Sequence, residues 1–139
     1  MKANELRIGN YYKAPIEFKG SVSAQINFKK DRIFVLTKEI FLLLLSLNLE
    51  HLIEPILLTE EWLLKFGFNK VIDNGYEDEF EFIYIDSNEQ CRITKNKDGY
   101  YSYWPEELFG FCIDLGFEPK IHRLQNLYFE LNDREFEMK

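Results

Sequence analysis

The chain has 139 residues, 46% of them hydrophobic and 17% aromatic, and carries a formal net charge of −7. A chain this apolar builds a core, so intrinsic disorder is excluded, and its length fits one domain or two small halves. Its acidity makes it a poor general binder of nucleic acid or of anionic membrane.

The first ten residues, MKANELRIGN, have no apolar run behind the lysine, so no signal peptide is expected. Residues 6–12 read as a short strand entered through the Gly9-Asn10 turn. From 21 to 28, Val22, Ala24, Ile26 and Phe28 alternate with polar residues, the period of a half-buried strand. Lys29, Lys30 and Asp31 supply a polar turn, and 32–36 read as the return strand. Three short strands with tight connections predict a small SH3-like β-rich part. Thr37 is placed to cap a helix from Glu39 to Ser46 or Leu47, with Glu39 on its positive end. Residues 40–45 are apolar all round, which predicts a helix buried on most sides that forms the common core. The most apolar stretch, Ile40 to Leu49, falls short at ten residues of the roughly 20 that cross a bilayer.

Residues 59–68 carry the clearest local signal. Thr59 is an N-cap, Glu60 and Glu61 sit in the first turn, Lys65 in the last, and Gly67 can take the left-handed conformation with Phe68 folding back on Leu63. Residues 69–79 are polar and acidic and read as a loop. Strands follow at 80–85, 91–96 and 100–104, joined by a turn at 86–89 and by Asp98-Gly99, whose residues tolerate positive φ. Pro105, Glu106 and Glu107 predict a helix that ends at Gly116. A last helix is predicted over 122–131 with Leu124, Leu127, Tyr128 and Leu131 as its core stripe. Asn132-Asp133 then turns the chain into a final short strand with Phe136 and Met138. The expected fold is α+β: a β-rich part over 1–58 with a Leu-rich helix, then an antiparallel meander covered by helices over 59–139, sharing one core. The charge divides unevenly between them, 8 basic against 6 acidic residues in 1–58 and 9 against 18 in 59–139.

No GxGxxG, Walker A, HExxH or GxSxG motif occurs. Cys91 and Cys112 are too few for a disulfide framework and read as buried thiols of a reducing cytoplasm. With only His51 and His122, neither a Cys–His nucleophile nor a zinc site has recognisable spacing. No catalytic residue, metal or cofactor is expected. Two groups remain as candidate binding residues. In the run Tyr100-Tyr101-Ser102-Tyr103-Trp104, one strand face packs inward and the other is available to a partner. Tyr101, Tyr103 and Trp104, with Arg92 and Lys95 nearby, are either core or a recognition surface of aromatic faces and cations. On the last helix, His122, Gln125, Asn126 and Phe129 flank the apolar stripe; they either support neighbouring backbone or meet a partner or a second copy of the chain.

Three blocks stand out in order: ELRIGN at 5–10, LTEEWLLKFGF at 58–68 and HRLQNLYF at 122–129. Together they resemble a family of small uncharacterised proteins of phages, prophages and mobile elements of Bacteroides-group bacteria. The resemblance implies a short β-rich N-terminal module and a C-terminal α+β part, and it transfers no activity. The stretch between Gly20 and Pro55 departs from that pattern. The reading that results is a non-catalytic accessory protein in the host cytoplasm, binding a host protein or a small nucleotide-type signal, with counter-defence as one such role and self-association as a further option. Two alternatives stand beside it. One is a nucleic-acid-associated regulator acting through Lys29, Lys30 and Arg32; the other is an enzyme with an unrecognised site.

Overall fold

The computed structural model describes residues 6–14, 32–72, 75, 79–85, 90–105 and 110–136. These residues form an α+β fold with a two-stranded and a five-stranded antiparallel sheet and three α-helices. The chain divides into two units, Met1–Ile56 with Leu124–Glu135, and Leu57–Arg123 with Phe136–Lys139.

In the first unit β1 (Tyr11–Lys13) pairs with β2 (Ile33–Val35), and Tyr12 stands opposite Phe34 with their rings 6.4 Å apart. The predicted first strand is shorter than expected because Ile8 and Gly9 form a turn, Gly9 at φ +97°. Its N–H donates to the Leu36 carbonyl at 2.8 Å, which brings the segment alongside β2. The strand expected at 21–28 and the turn at 29–31 lie outside the described residues.

Helix α1 (Lys38–Ser46) starts where its cap predicts, with Thr37 Oγ1 accepting from the Ile40 N–H at 3.2 Å. It stops because Asn48 takes φ +57°, letting Leu49 N–H reach the Leu44 carbonyl at 2.9 Å. The expectation that α1 is buried on most sides is corrected. Leu44 is fully buried in a cluster with Tyr12, Ala14, Phe34, Leu36 and Ile53, whereas Leu42 and Leu45 are 54% and 40% exposed. Apolar composition shows which residues can be buried; the number of neighbouring elements decides how many are, and here one flank of the helix, Ile40, Phe41 and Leu44, meets the cluster.

In the second unit α2 (Glu60–Lys65) carries every cap that its residues predict. Thr59 Oγ1 accepts from Trp62 N–H, and Gly67 at φ +98° closes both bonds of a Schellman motif, its own N–H to Leu64 and that of Phe68 to Leu63, each at 3.0 Å. Gly67→Ala should cost about 1–2 kcal/mol, because a Cβ at that φ is strained whatever the space around it. A urea midpoint unchanged by this substitution would show that the helix end does not depend on the left-handed residue.

The sheet is a sequential meander: β3 (Asn69–Lys70), β4 (Glu79–Ile85), β5 (Gln90–Asn96), β6 (Tyr100–Pro105) and β7 (Ile113–Phe117). β3 occupies part of the expected loop, since buried Phe68 anchors the chain directly before it and sets Asn69 opposite Ile83. The β5–β6 turn has Gly99 at φ +93°, and Asn96 Oδ1 accepts from the N–H groups of Asp98 and Tyr100, both at 3.0 Å.

The helix expected from Pro105 to Gly116 is also corrected. Pro105 ends β6, residues 106–109 lie outside the described residues, and 113–117 form β7. Ile113, Leu115 and Phe117 alternate with Asp114 and Gly116, and that period of two prevails over helix-like end signals. A register shift and Gly116 at φ +86° bend this edge strand. Arg123 then donates to two of its carbonyls, Leu115 at 2.8 Å and Asp114 at 3.2 Å.

One side of the sheet buries Phe82, Tyr84, Cys91, Ile93, Tyr101 and Tyr103. Phe136 is not in a strand; its ring centroid lies 5.1, 5.5 and 5.2 Å from those of Phe66, Phe68 and Tyr84. Met138 lies outside the described residues. Cys112 is exposed, contrary to expectation, because it precedes β7. Helix α3 (Ile121–Asn132) buries Ile121, Leu124, Gln125 and Tyr128, so the expected stripe is rotated and Leu131 is exposed. None of the described helices is long and apolar enough to cross a membrane.

Candidate functional site

Alternation along the strands decides which side chains of the meander reach solvent. The side opposite the buried ring cluster carries Glu81, Ile83 and Ile85 from β4, Arg92 and Thr94 from β5, and Tyr100, Ser102 and Trp104 from β6. Register sets Ile83, Arg92 and Trp104 in one cross-strand row, and Glu81, Thr94, Ser102 and Asp114 in the next. The Arg92 guanidinium lies 4.8 Å from the centre of the half-buried Trp104 ring and 3.5 Å from a Glu81 carboxylate oxygen. Trp104 Nε1 donates to Thr94 Oγ1 at 2.9 Å, which fixes the indole on this face. At the end of the face Tyr100 and Phe117 pair at 5.3 Å, 52% and 55% exposed.

Of the predicted site residues, Arg92 and Trp104 therefore come together on an exposed surface. Tyr101 and Tyr103 point to the other side and are 3% and 0% exposed, so the core reading of these two is the one realised. Lys95 follows them, with Nζ 5.6 Å from the Tyr101 ring. Sequence reasoning missed Tyr100, Phe117, Ile83 and Glu81. Tyr100 was recoverable from its sharing a strand face with Trp104; Phe117 was hidden by the helix expected there.

Gln125, Asn126 and Phe129 belong to a second assembly, inside the first unit. Asn126 Oδ1 accepts from Arg7 Nε and Asn10 Nδ2, both at 2.7 Å, and Arg7 Nη2 donates to Asn10 Oδ1 at 2.6 Å. Gln125 Oε1 accepts from Tyr11 N–H at 3.0 Å, while the Arg7 guanidinium stacks 4.5 Å from the Phe129 ring and grips Glu135 at 2.6 and 2.9 Å. Two of the three blocks that carry the resemblance thus meet as one polar clasp. His122 is half-buried on the first turn of α3.

Burial, and then the negative charge of Glu60, raises the Tyr101 phenol above its ordinary value, and burial alone raises Tyr11. The fold thus favours the neutral phenols. Stability should be fully present below pH about 10, where unfolded tyrosine titrates, and should fall as pH rises through the higher folded values. A phenolate absorbance titration should show these two ionising late, together with unfolding; ordinary titration of every tyrosine would contradict this.

Among the described residues no group of three or more His, Cys, Asp and Glu is placed to hold a metal ion. Comparison with family models, with curated proteins and with solved structures finds no match to this chain.

Proposed function

We propose that this chain is a non-catalytic accessory protein of a phage or mobile element that binds a host protein, in the host cytoplasm, through the exposed face of its five-stranded sheet. The observation that carries the reading is the Arg92–Trp104 stack, set in a row with Ile83 and flanked by the exposed Tyr100–Phe117 pair. Trp, Tyr and Arg are the residues that dominate binding energy at protein interfaces, since they combine large apolar area with a polar end. Glu81 stands beside Arg92 and Asp114 lies two strands away on the same face, within a part of the chain that holds 18 acidic and 9 basic residues, so the complementary partner has a basic rim. The resemblance to mobile-element proteins supplies the setting.

A small nucleotide-type signal is the second reading, favoured by the same pair: Trp104 offers a stacking face and Arg92 a phosphate partner. Affinity capture from host lysate followed by titration calorimetry with the captured protein tests the first reading. Trp104→Ala and Arg92→Ala should each weaken binding by roughly 30-fold or more, the scale of an interface anchor. Binding unchanged by both variants would remove the sheet face from consideration. Saturable heat from a cyclic-nucleotide panel, lost in the same variants, would favour the second reading instead.

A further inference from the structure

On the other side of the sheet from the Arg92–Trp104 stack, the second unit contains a pocket of about 190 Å³ beside the β5–β6 turn. Leu57, Leu58 and the ring of Tyr101 give it an apolar floor, and Glu60, Lys95 and Glu118 bring charge to its lining. The walls are tied by backbone hydrogen bonds, Leu58 N–H to the Pro119 carbonyl at 2.8 Å and Glu118 N–H to the Gly99 carbonyl at 3.2 Å. They are preformed and need no ligand to assemble.

The charges are not equivalent. Glu60 is already paired with Lys70 at 3.1 Å. Lys95 and Glu118 line the same pocket with opposite charge, yet among the described residues neither forms an ion pair with the other or with any third group. Lys95 has the Tyr101 ring beneath its ammonium. A cation and an anion held apart over an apolar floor are complementary to a ligand that carries both charges and an apolar side chain. The volume limits that ligand further. Pockets that hold drug-sized molecules measure roughly 300–1,000 Å³, so this one suits something nearer the size of an amino acid.

We propose that this pocket binds a free aliphatic α-amino acid, with its carboxylate on Lys95, its ammonium on Glu118 and its side chain on Leu57 and Leu58. Each ligand charge that enters the pocket needs an opposite charge to offset its lost hydration, and each protein charge covered by the ligand needs the same. A ligand with only one of the two groups therefore leaves one protein charge covered and unpaired.

The test uses the full chain, L-leucine, and two analogues that each lack one charge, isoamylamine and 4-methylpentanoate, followed by amide chemical shifts. Leucine should give saturable shifts centred on Gly99, Tyr101 and Glu118 at millimolar concentration. Each analogue should bind about tenfold more weakly, the scale of one charge-assisted contact. Lys95→Gln and Glu118→Gln should each reduce leucine binding by a similar factor while leaving the remaining spectrum folded. Absence of saturable shifts with leucine would overturn the proposal. So would an analogue that binds as well as leucine, or leucine binding that survives both substitutions.

Discussion

Replacing Asn10 with alanine is expected to lower the stability of the protein by about 2–4 kcal/mol, one of the largest losses for any polar residue described. Asn10 is fully buried, and both N–H groups of its side-chain amide and its carbonyl oxygen are hydrogen-bonded. Its amide donates to Asn126 and, at 3.3 Å, to the Tyr12 hydroxyl, and its carbonyl accepts from Arg7. Alanine would remove three hydrogen bonds at once from a buried site, leaving Arg7 Nη2 with Glu135 alone and Asn126 Oδ1 with Arg7 Nε alone. Each such bond contributes about 1 kcal/mol, and more where a charged group takes part. Glu135→Gln should behave differently. Its pairing with Arg7 has good geometry, but the Arg7 and Glu135 side chains are 25% and 38% exposed, so the change should cost less than about 1 kcal/mol after solvent screening. Urea unfolding of the two variants checks both values. If Glu135→Gln proved the more damaging, the weight of the clasp would lie in its ion pair and not in its buried amides.

Tyr103→Ala should be more damaging still, about 3–5 kcal/mol, the range for truncating a large buried aromatic. Tyr103 is fully buried, opposite Ile93 on one side and Ile113 on the other. Trp104, the next residue, faces the other way and is half-buried, so Trp104→Ala should cost roughly 1–2 kcal/mol, mostly from the loss of its bond to Thr94 and its contact with Arg92. Two adjacent aromatic truncations with very different unfolding midpoints would verify the orientation of β6. Equal midpoints would mean that the sheet face assigned to recognition is in fact packed.

The parts of this fold that were legible in the sequence are those whose physics is contained in a few consecutive residues. Thr37 and Thr59 cap helices, Gly67 ends one, and Asp98-Gly99 turns a hairpin, because each bond spans fewer than six residues. The three central strands were legible for the same reason, through alternation. What was not legible depends on distant partners. Gln125 was open between supporting backbone and meeting a partner, and only the Tyr11 N–H, 114 residues away, decides for the first. The exposure of Leu42 and Leu45 is a matter of how many elements surround α1. The segment 105–116 failed differently: Pro, Glu and Gly satisfy helix ends and strand ends alike, and the contacts with β6 decide between them. The site divides along the same line. The two faces of the aromatic strand could be read in advance, whereas the choice of buried face required the ring cluster around Phe136.

The two hydrogen bonds from Arg123 to the carbonyls of Leu115 and Asp114 limit how this protein can meet others. The outer rim of a meander is ordinarily a template on which another polypeptide can add itself as a further strand. Here two carbonyls of β7, the edge strand, are taken by a guanidinium, and the bend at Gly116 spoils the straight ladder that an incoming strand would need. Ribbon-like extension of the sheet through β7 is thereby disfavoured, and with it one common route to fibrous self-assembly. An incoming strand is left with the opposite rim of the sheet, where β3 offers a ladder of only two residues.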